Sequence, residues 1–375
     1  MTKPLNGVRI IELAGIGPGP YAGQLLADMG ADVILVNRPG PMGAIPNLSN
    51  RGKKAITLDL RKPEGAAIVL DLVRSADVLF EGLRPGVTER LGVGPEACHA
   101  INPKLVYGRM TGWGQTGPWA KMAGHDINYI SITGALAAMG KAGTPPSPPL
   151  NLVGDFGGGA MFLVMGMLAA LLKAEKTGQG EVVDAAMIDG TSSLMTMFYS
   201  LAGLGQWTEK RESNLLDGAM PYYRCYVTKD KKFMAVGCIE PQFFAEMLSK
   251  LNIDPQDFGP QNNPAHHAAQ HQKLEVLFAS KTRDEWAELF EGSDACVSPV
   301  LTYEEAALHP QNQARGGLKQ QGNFIHPRSA PIFESSVDDP PFFIPNGHAD
   351  AEYILAELGY SAKKISNLSN NNIIG

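Results

Sequence analysis

The sequence predicts an α/β protein, with a parallel sheet covered by helices on both faces and a second, smaller α+β domain. Three observations predict it. Apolar runs of about four to six residues recur through the first half, and most are separated by helical patterns. These runs are continuously apolar rather than alternating, as strands buried on both faces require. Beyond about residue 220, two strand-like runs follow each other across a short polar turn, which reads as a hairpin and not as a crossover.

Taken in order, residues 8–13 read as the first buried strand, followed by a Gly/Pro turn and a helix over 21–29. Strands over 32–36 and 55–58, a helix over 63–74 and a strand over 77–80 come next. A helix over 94–101 leads into a strand over 105–110. A long apolar helix is expected over 156–176, then a strand over 181–188 and an apolar helix over 191–202. The polar stretch 208–218 is a connector. The hairpin pairs 222–228 with 233–238 across Lys229-Asp230-Lys231-Lys232, and helices over 242–251 and 283–291 complete the small domain. The domain boundaries that follow are 1–207 for the large α/β domain, 208–221 for a linker, 222–320 for the small α+β domain, and 321–375 for a linker and a return to the large domain.

Composition excludes several function classes. The chain has 375 residues, 44% hydrophobic and 19% charged, with a formal net charge of −6. Nucleic acid is not the expected partner, because phosphate backbones require a concentrated basic face. Four cysteines (Cys98, Cys225, Cys238, Cys296) are too widely spaced for a CxxC site or a recognisable disulfide framework, which points to a reducing cytoplasm. The N-terminal residues lack the apolar region of a signal peptide. The longest apolar run, 160–172, is thirteen residues, too short to span a bilayer, so a core helix and no membrane are expected. The polar run 260–272 reads as a loop or weak helix. Its histidines (His266, His267, His271) have no carboxylate or cysteine company, so a solvent-exposed role outweighs a metal site.

The loop Gly17-Pro18-Gly19-Pro20-Tyr21-Ala22 fits G-x-G-x-x-A after a strand, so a dinucleotide site has to be weighed. Pro18 and Pro20 remove N–H donors that would cradle a pyrophosphate, and Asn37-Arg38 replaces the acidic ribose ligand after the second strand. Both details count against NAD. Basic residues recur near strand ends instead: Arg38, Arg51, Lys53, Lys54, Arg84, Arg90 and Arg109. Their forks and ammonium groups suit a ligand bearing several phosphates.

Two short stretches carry the chemistry. In Gly124-His125-Asp126-Ile127-Asn128-Tyr129 an imidazole stands in a polar loop after a strand, and in Asn151-Leu152-Val153-Gly154-Asp155-Phe156 a carboxylate precedes Gly157-Gly158-Gly159. Alone, His125 reads as structural and Asp155 as a helix N-cap. Together they are two proton-transfer groups, and the helix expected after the glycines would supply free N–H groups for an enolate oxygen. Glu240, in Ile239-Glu240-Pro241-Gln242, is a candidate to orient an imidazole by accepting its second N–H.

These motifs resemble those of the α-methylacyl-CoA racemases, within the family III CoA-transferase superfamily. The same resemblance extends to Asn50-Arg51-Gly52-Lys53-Lys54, Leu83-Arg84-Pro85-Gly86, Gly112-Trp113-Gly114-Gln115-Thr116-Gly117-Pro118 and Asp294-Ala295-Cys296-Val297, nearly the whole chain. It implies the family III fold, with a CoA-binding large domain, and an interlocked homodimer in which each ring-shaped chain threads its partner. It also implies 2-methylacyl-CoA thioesters as substrates, with CoA belonging to the substrate and no separate cofactor or metal. His125 would take the α-proton from the (S)-epimer, with Asp126 beside it and Glu240 of the other protomer against it. Protonated Asp155, held by Asn151, would return one on the opposite face. Arg38, Arg84 and the Arg51/Lys53/Lys54 region would bind the CoA phosphates, with Leu83, Arg90 and Arg109 nearby. Among fifteen methionines, Met195, Met197 and Met220 are candidates for the acyl surface.

Two departures from the family pattern stand out: Asn37 in place of glutamate before Arg38, and Asp230-Lys231 in place of an Asp-Gly turn. The competing readings are CoA transfer, with Asp155 as nucleophile, and an acyl-CoA binding protein without chemistry. A base at His125 is what a racemase requires and a transferase does not.

Overall fold

The computed structural model describes residues 3–40, 47–334 and 348–375. It comprises two compact units. The first is built from Met1–Ala135, Pro149–Thr196 and Pro327–Gly375, and the second from Leu136–Pro148 and Met197–His326.

The first unit is a six-stranded parallel sheet in the order β3-β2-β1-β4-β5-β6. Its strands are β1 (Arg9–Leu13), β2 (Asp32–Asn37), β3 (Lys54–Thr57), β4 (Val78–Glu81), β5 (Val106–Thr111) and β6 (Val182–Ala186). The crossovers carry α1 (Pro18–Asp28), α2 (Pro63–Val73), α3 (Val87–Arg90) and α4 (Pro95–Ile101), and α5 (Asp126–Ser131) follows β5. Successive strand residues serve opposite faces, which is why the runs are apolar throughout. Ile10, Val33, Val78 and Val106 face one core with α1, whereas Ile11, Ile34, Leu79 and Tyr107 face the other with α2. The C-terminal segment closes the second face. Ile373 and Ile374 join that core, and Ile373 O accepts from Asp59 N–H at 2.9 Å.

The long apolar helix starts earlier than its sequence suggests. A π-helix spans Leu152–Ala160 and runs into α6 (Met161–Thr177). Within Leu152–Thr177 an eighteen-residue stretch reaches a mean hydropathy of 1.7, so the helix is, by length and composition only, long and apolar enough to cross a membrane. Leu163, Val164, Met167, Ala170 and Ala174 pack in the first of the two cores. The strand expected over 181–188 ends at Ala186, because α7 (Met187–Leu194) begins there and lays Gly190 against the Gly158 carbonyl. α8 (Thr196–Gly203) follows after a break at Met195.

The second unit is organised on an antiparallel sheet, β7 (Tyr223–Val227), β8 (Phe233–Gly237) and β9 (Val297–Pro299). The β7–β8 turn is closed with Lys231 at φ 60°, so lysine takes the left-handed position that glycine usually fills. Asp230 Oδ1 accepts from Thr228 Oγ1 and from Arg283 N–H, which steadies the turn. Around the sheet lie α9 (Pro241–Lys250), α10 (Pro255–Phe258), α11 (Pro264–Phe278) and α12 (Arg283–Phe290). Tyr226 stacks on Phe278, whose carbonyl accepts from Trp286 Nε1 at 2.9 Å.

Residues 260–272, expected as a loop or weak helix, lie largely in the fifteen-residue α11, begun by the Asn263 cap and Pro264. Segment 136–148, read by sequence as part of the large domain, belongs to the second unit. Arg211 donates to the carbonyls of Ala137, Lys141 and Thr144, and Ala142 N–H donates to Glu212.

Candidate active site

A cavity of about 810 Å³ opens at the carboxyl ends of β1 to β4. It is lined by Ala14–Gly17 after β1, Asn37–Gly40 after β2, Leu58–Arg61 after β3 and Leu83 after β4. The strand order reverses between β1 and β4, and such a switch point is where parallel sheets receive ligands.

Of the cations singled out by sequence, Arg38 lines this cavity and is exposed. Arg84 and Arg90 are also exposed, just beyond β4. The others are placed differently. Arg51, Lys53 and Lys54 stand at the amino end of β3, not its carboxyl end. Arg51 is 3% exposed and forks onto Asp28, with Nε to Oδ1 at 3.0 Å. Lys53 Nζ is buried on Glu12 Oε2 at 2.7 Å, and Lys54 Nζ meets Asp32 Oδ1 at 2.7 Å. Arg109 lies within β5 opposite Glu81 of β4, and it bridges Glu81 and Glu89 at 3.2 and 2.8 Å. Burial needs a paired counter-charge, and a linear sequence does not show which carboxylate supplies it.

Sequence reasoning missed Arg61, a further cation on the cavity wall. Its guanidinium forks onto Asp59 at 2.8 and 2.9 Å and, chiefly through those bonds, holds the Asp59 carboxyl below its usual range. The strand-end rule applied to β3 would have found it. Leu83 is held by Glu81, whose Oε2 accepts the Leu83 N–H at 2.6 Å.

His125 is the N-cap of α5, exposed, with its own N–H donated to Asn128 Oδ1 at 3.1 Å. Tyr129, one turn on, donates its hydroxyl to the Gly124 carbonyl, so the backbone on both sides of the imidazole is fixed by α5. Trp113 supports Tyr129 edge-on at 4.9 Å.

Asp155 is half-buried in the first turn of the π-helix, with Asn151 as N-cap. The helix expected to begin after Asp155 therefore begins before it. The N–H of Asp155 donates to Asp126 Oδ2 at 2.7 Å, and Phe156 N–H donates to Asn151 O at 3.2 Å. Gly158 and Gly159 lie buried inside the helix against α7, so they serve packing where the sequence suggested an open helix start. The reason is the π-register, in which the chain winds wider and places the carboxylate within the helix.

The Asp155 side chain takes a hydrogen bond from Asn151 Nδ2 at 3.2 Å. Burial pushes the Asp155 carboxyl above its usual range, and the neighbouring Asp126 pushes it further. The Asn151 bond and the charge of His125 act in the opposite sense without reversing it, which also puts the imidazole within electrostatic reach. On the other side stands Gly17, at φ 68°, where a Cβ would lie 2.9 Å from Asp155 Oδ2. Gly17 itself lines the cavity.

Glu240 is the exposed N-cap of α9, fixed by Pro241, and belongs to the second unit, whereas His125 and Asp155 belong to the first. Met195 ends α7 in the first unit, Met197 is exposed on α8, and Met220 packs on the core of the second unit. Thus His125, Asp126, Asn151 and Asp155 come together, and Glu240, Met197 and Met220 lie on the other body. Of the three histidines on α11, His267 Nε2 bonds Gln261 O, and His271 bonds Ala219 O and Arg224.

CoA-transferase family III matches residues 5–327 of the chain. Alpha-methylacyl-CoA racemase of Mus musculus is 41% identical, covering 99% of this chain and 97% of that protein. The Homo sapiens protein of the same name is 40% identical with the same coverage. An acetyl-CoA:oxalate CoA-transferase of Acetobacter aceti is 30% identical over 90% of each chain. Among solved structures, a CAIB/BAIF family protein from Brucella suis superposes with a TM-score of 0.81 at 28% identity, covering 96% of this chain and all of that one.

Proposed function

The chain belongs to CoA-transferase family III, and on that premise we propose that it is an isomerase that interconverts (R)- and (S)-2-methylacyl-CoA thioesters. The racemase relatives stand at 40–41% identity over nearly the full length, against 38% for a CaiB/baiF CoA-transferase family protein of Caenorhabditis elegans and 30–32% for CoA-transferases named for particular acids. One observation carries the assignment of residues: a carboxyl held above its usual range, against the cavity-lining Gly17, with a histidine in electrostatic reach.

The chemistry follows from what each residue can do. From the (S)-epimer, His125 removes the α-proton, leaving an enolate, and protonated Asp155 delivers a proton to the opposite face. From the (R)-epimer the roles exchange: Asp155 as carboxylate takes the proton and imidazolium returns one. A carboxyl with raised proton affinity suits both duties, because it accepts and releases a proton nearer neutrality than an exposed aspartate would. Each placed group typically contributes about a hundred- to ten-thousandfold. Arg38 and Arg84 hold the CoA phosphates at the sheet's carboxyl edge, and no further cofactor enters.

The reading includes a homodimer in the cytoplasm, in which Glu240 orients the His125 of the other protomer. α6 exposes Met161, Met165 and Leu172 along one face, as a helix covered by a second copy would.

The test is incubation with (R)- or (S)-2-methylacyl-CoA in heavy water. Deuterium should enter at the α-carbon with inversion, and Asp155→Asn and His125→Ala should each abolish inversion. Retention of the α-proton, with CoA passing to a free acid, would identify a transferase instead.

A further inference from the structure

Asp126 joins the two acid/base groups twice over. It follows His125 in the chain and opens α5, and its Oδ2 accepts the Asp155 N–H at 2.7 Å. The residue is 6% exposed, and its Oδ1 is buried without a hydrogen-bond partner. Leaving one oxygen of a buried carboxylate unsatisfied costs free energy, so an aspartate here needs a reason other than stability. The neighbouring sequence makes room for it. At Gly154 a Cβ would lie 2.5 Å from Asp126 Oδ2, so any side chain there would push the carboxylate off the Asp155 amide.

We propose that Asp126 is a positioning residue for Asp155: its hydrogen bond locks the Asp155 backbone to the helix that carries His125, and so fixes the distance between the two groups across the α-carbon. The inference rests on the epimerase reading and changes the part played by Asp126, which the sequence suggests as a helper of the adjacent histidine. It also has a consequence for proton affinity. Asp126 is one of the causes holding the Asp155 carboxyl above its usual range, after burial, so the same contact tunes the group it places.

The experiment compares Asp126→Asn and Asp126→Ala with the wild type, using (R)-2-methyldecanoyl-CoA in heavy water across a pH series. Asparagine keeps an oxygen that can accept the Asp155 N–H but removes the charge. Alanine removes both. The expected result for the alanine variant is a kcat about a hundredfold lower, with KM changed by less than about threefold, as for a misplaced reacting group. Asparagine should restore kcat to within about tenfold of wild type. In the (R) to (S) direction Asp155 must be ionised, so activity rises with pH through its titration. Removing the Asp126 charge lowers the Asp155 pKa, so this limb should move to lower pH in the asparagine variant.

Equal losses in both variants with an unmoved limb would overturn the inference, as would a wild-type kcat in the alanine variant. If the alanine variant fails to fold, Asp126→Leu, which fills the buried site but offers no acceptor to the Asp155 N–H, takes its place in the comparison. Absence of α-proton exchange in the wild type would overturn the epimerase reading, and this inference with it.

Discussion

Lys53→Met separates two roles for one lysine. If Lys53 binds a CoA phosphate, its loss raises KM and leaves stability alone. The structure gives the opposite expectation. Lys53 Nζ and Glu12 Oε2 are 2.7 Å apart, with both side chains fully buried. Burial pushes the Glu12 carboxyl up and the Lys53 ammonium down, each offset by the other's charge. Lys53 also donates to the Pro20 carbonyl at 2.9 Å, at the first turn of α1. Methionine fills similar volume but leaves Glu12 and that carbonyl without their donor. Removing one partner of a buried pair costs about 3–5 kcal/mol. For a folding unit of about 150–250 residues, each kcal/mol shifts Tm by about 2–4 °C, which gives a fall on the order of 6–20 °C. Thermal unfolding by circular dichroism measures it. The double variant Glu12→Leu/Lys53→Met should recover much of the loss, because a well-packed apolar pair often equals a buried ionic one. A Tm within about 2 °C of wild type, together with a raised KM for the acyl-CoA, would refute the structural role of Lys53.

Three further outcomes are expected. The Glu81 carboxyl is pushed up to about 7, mainly by burial; its folded pKa exceeds its unfolded value of 4.5, so its contribution to stability is full below about pH 4.5 and is lost as pH rises through 7. Wild-type Tm should therefore fall relative to Glu81→Gln between pH 5 and 8 in a calorimetric series, and parallel curves would refute the assignment. Arg211→Ala removes the donor to the carbonyls of Ala137, Lys141 and Thr144, so limited proteolysis should cut within 136–148 faster than in wild type, with fragment masses locating the site. Trp286→Ala, at a side chain only 2% exposed, should destabilise the second unit by about 3–5 kcal/mol in denaturant unfolding while the midpoint of the first unit stays in place.

The local patterns of the chain were legible because they are written in neighbouring residues. Continuous apolar runs identified all six parallel strands, and the Tyr222–Thr228 and Phe233–Cys238 segments were read as a hairpin because their turn is polar and short. The errors came where packing overrides local signals. Gly157-Gly158-Gly159 looked like the open first turn of a helix, but those glycines are its interior, used so that α7 can pack against it. The polar 260–272 run lacks an apolar stripe, yet α11 forms because Leu274 and Phe278 anchor it in the core beyond that run. Segment 136–148 changed units because Arg211, about seventy residues further on, takes its carbonyls.

By itself the sequence determined the fold class, the pairing of a histidine loop with an aspartate loop, and, through whole-chain resemblance, the family. These depend on periodicity and on motif order, both of which survive in one dimension. Only the tertiary structure decided which cations are paired with buried carboxylates. Arg38 and Arg84 remain at the surface of the sheet's carboxyl edge, whereas Arg51, Lys53 and Arg109 are spent on Asp28, Glu12 and Glu81. It also decided that Asp126 grips the Asp155 backbone, a contact between residues 29 positions apart. The physical reason is the same in both cases: a charge acts on whatever the fold brings within a few ångströms, and that distance is set by long-range packing.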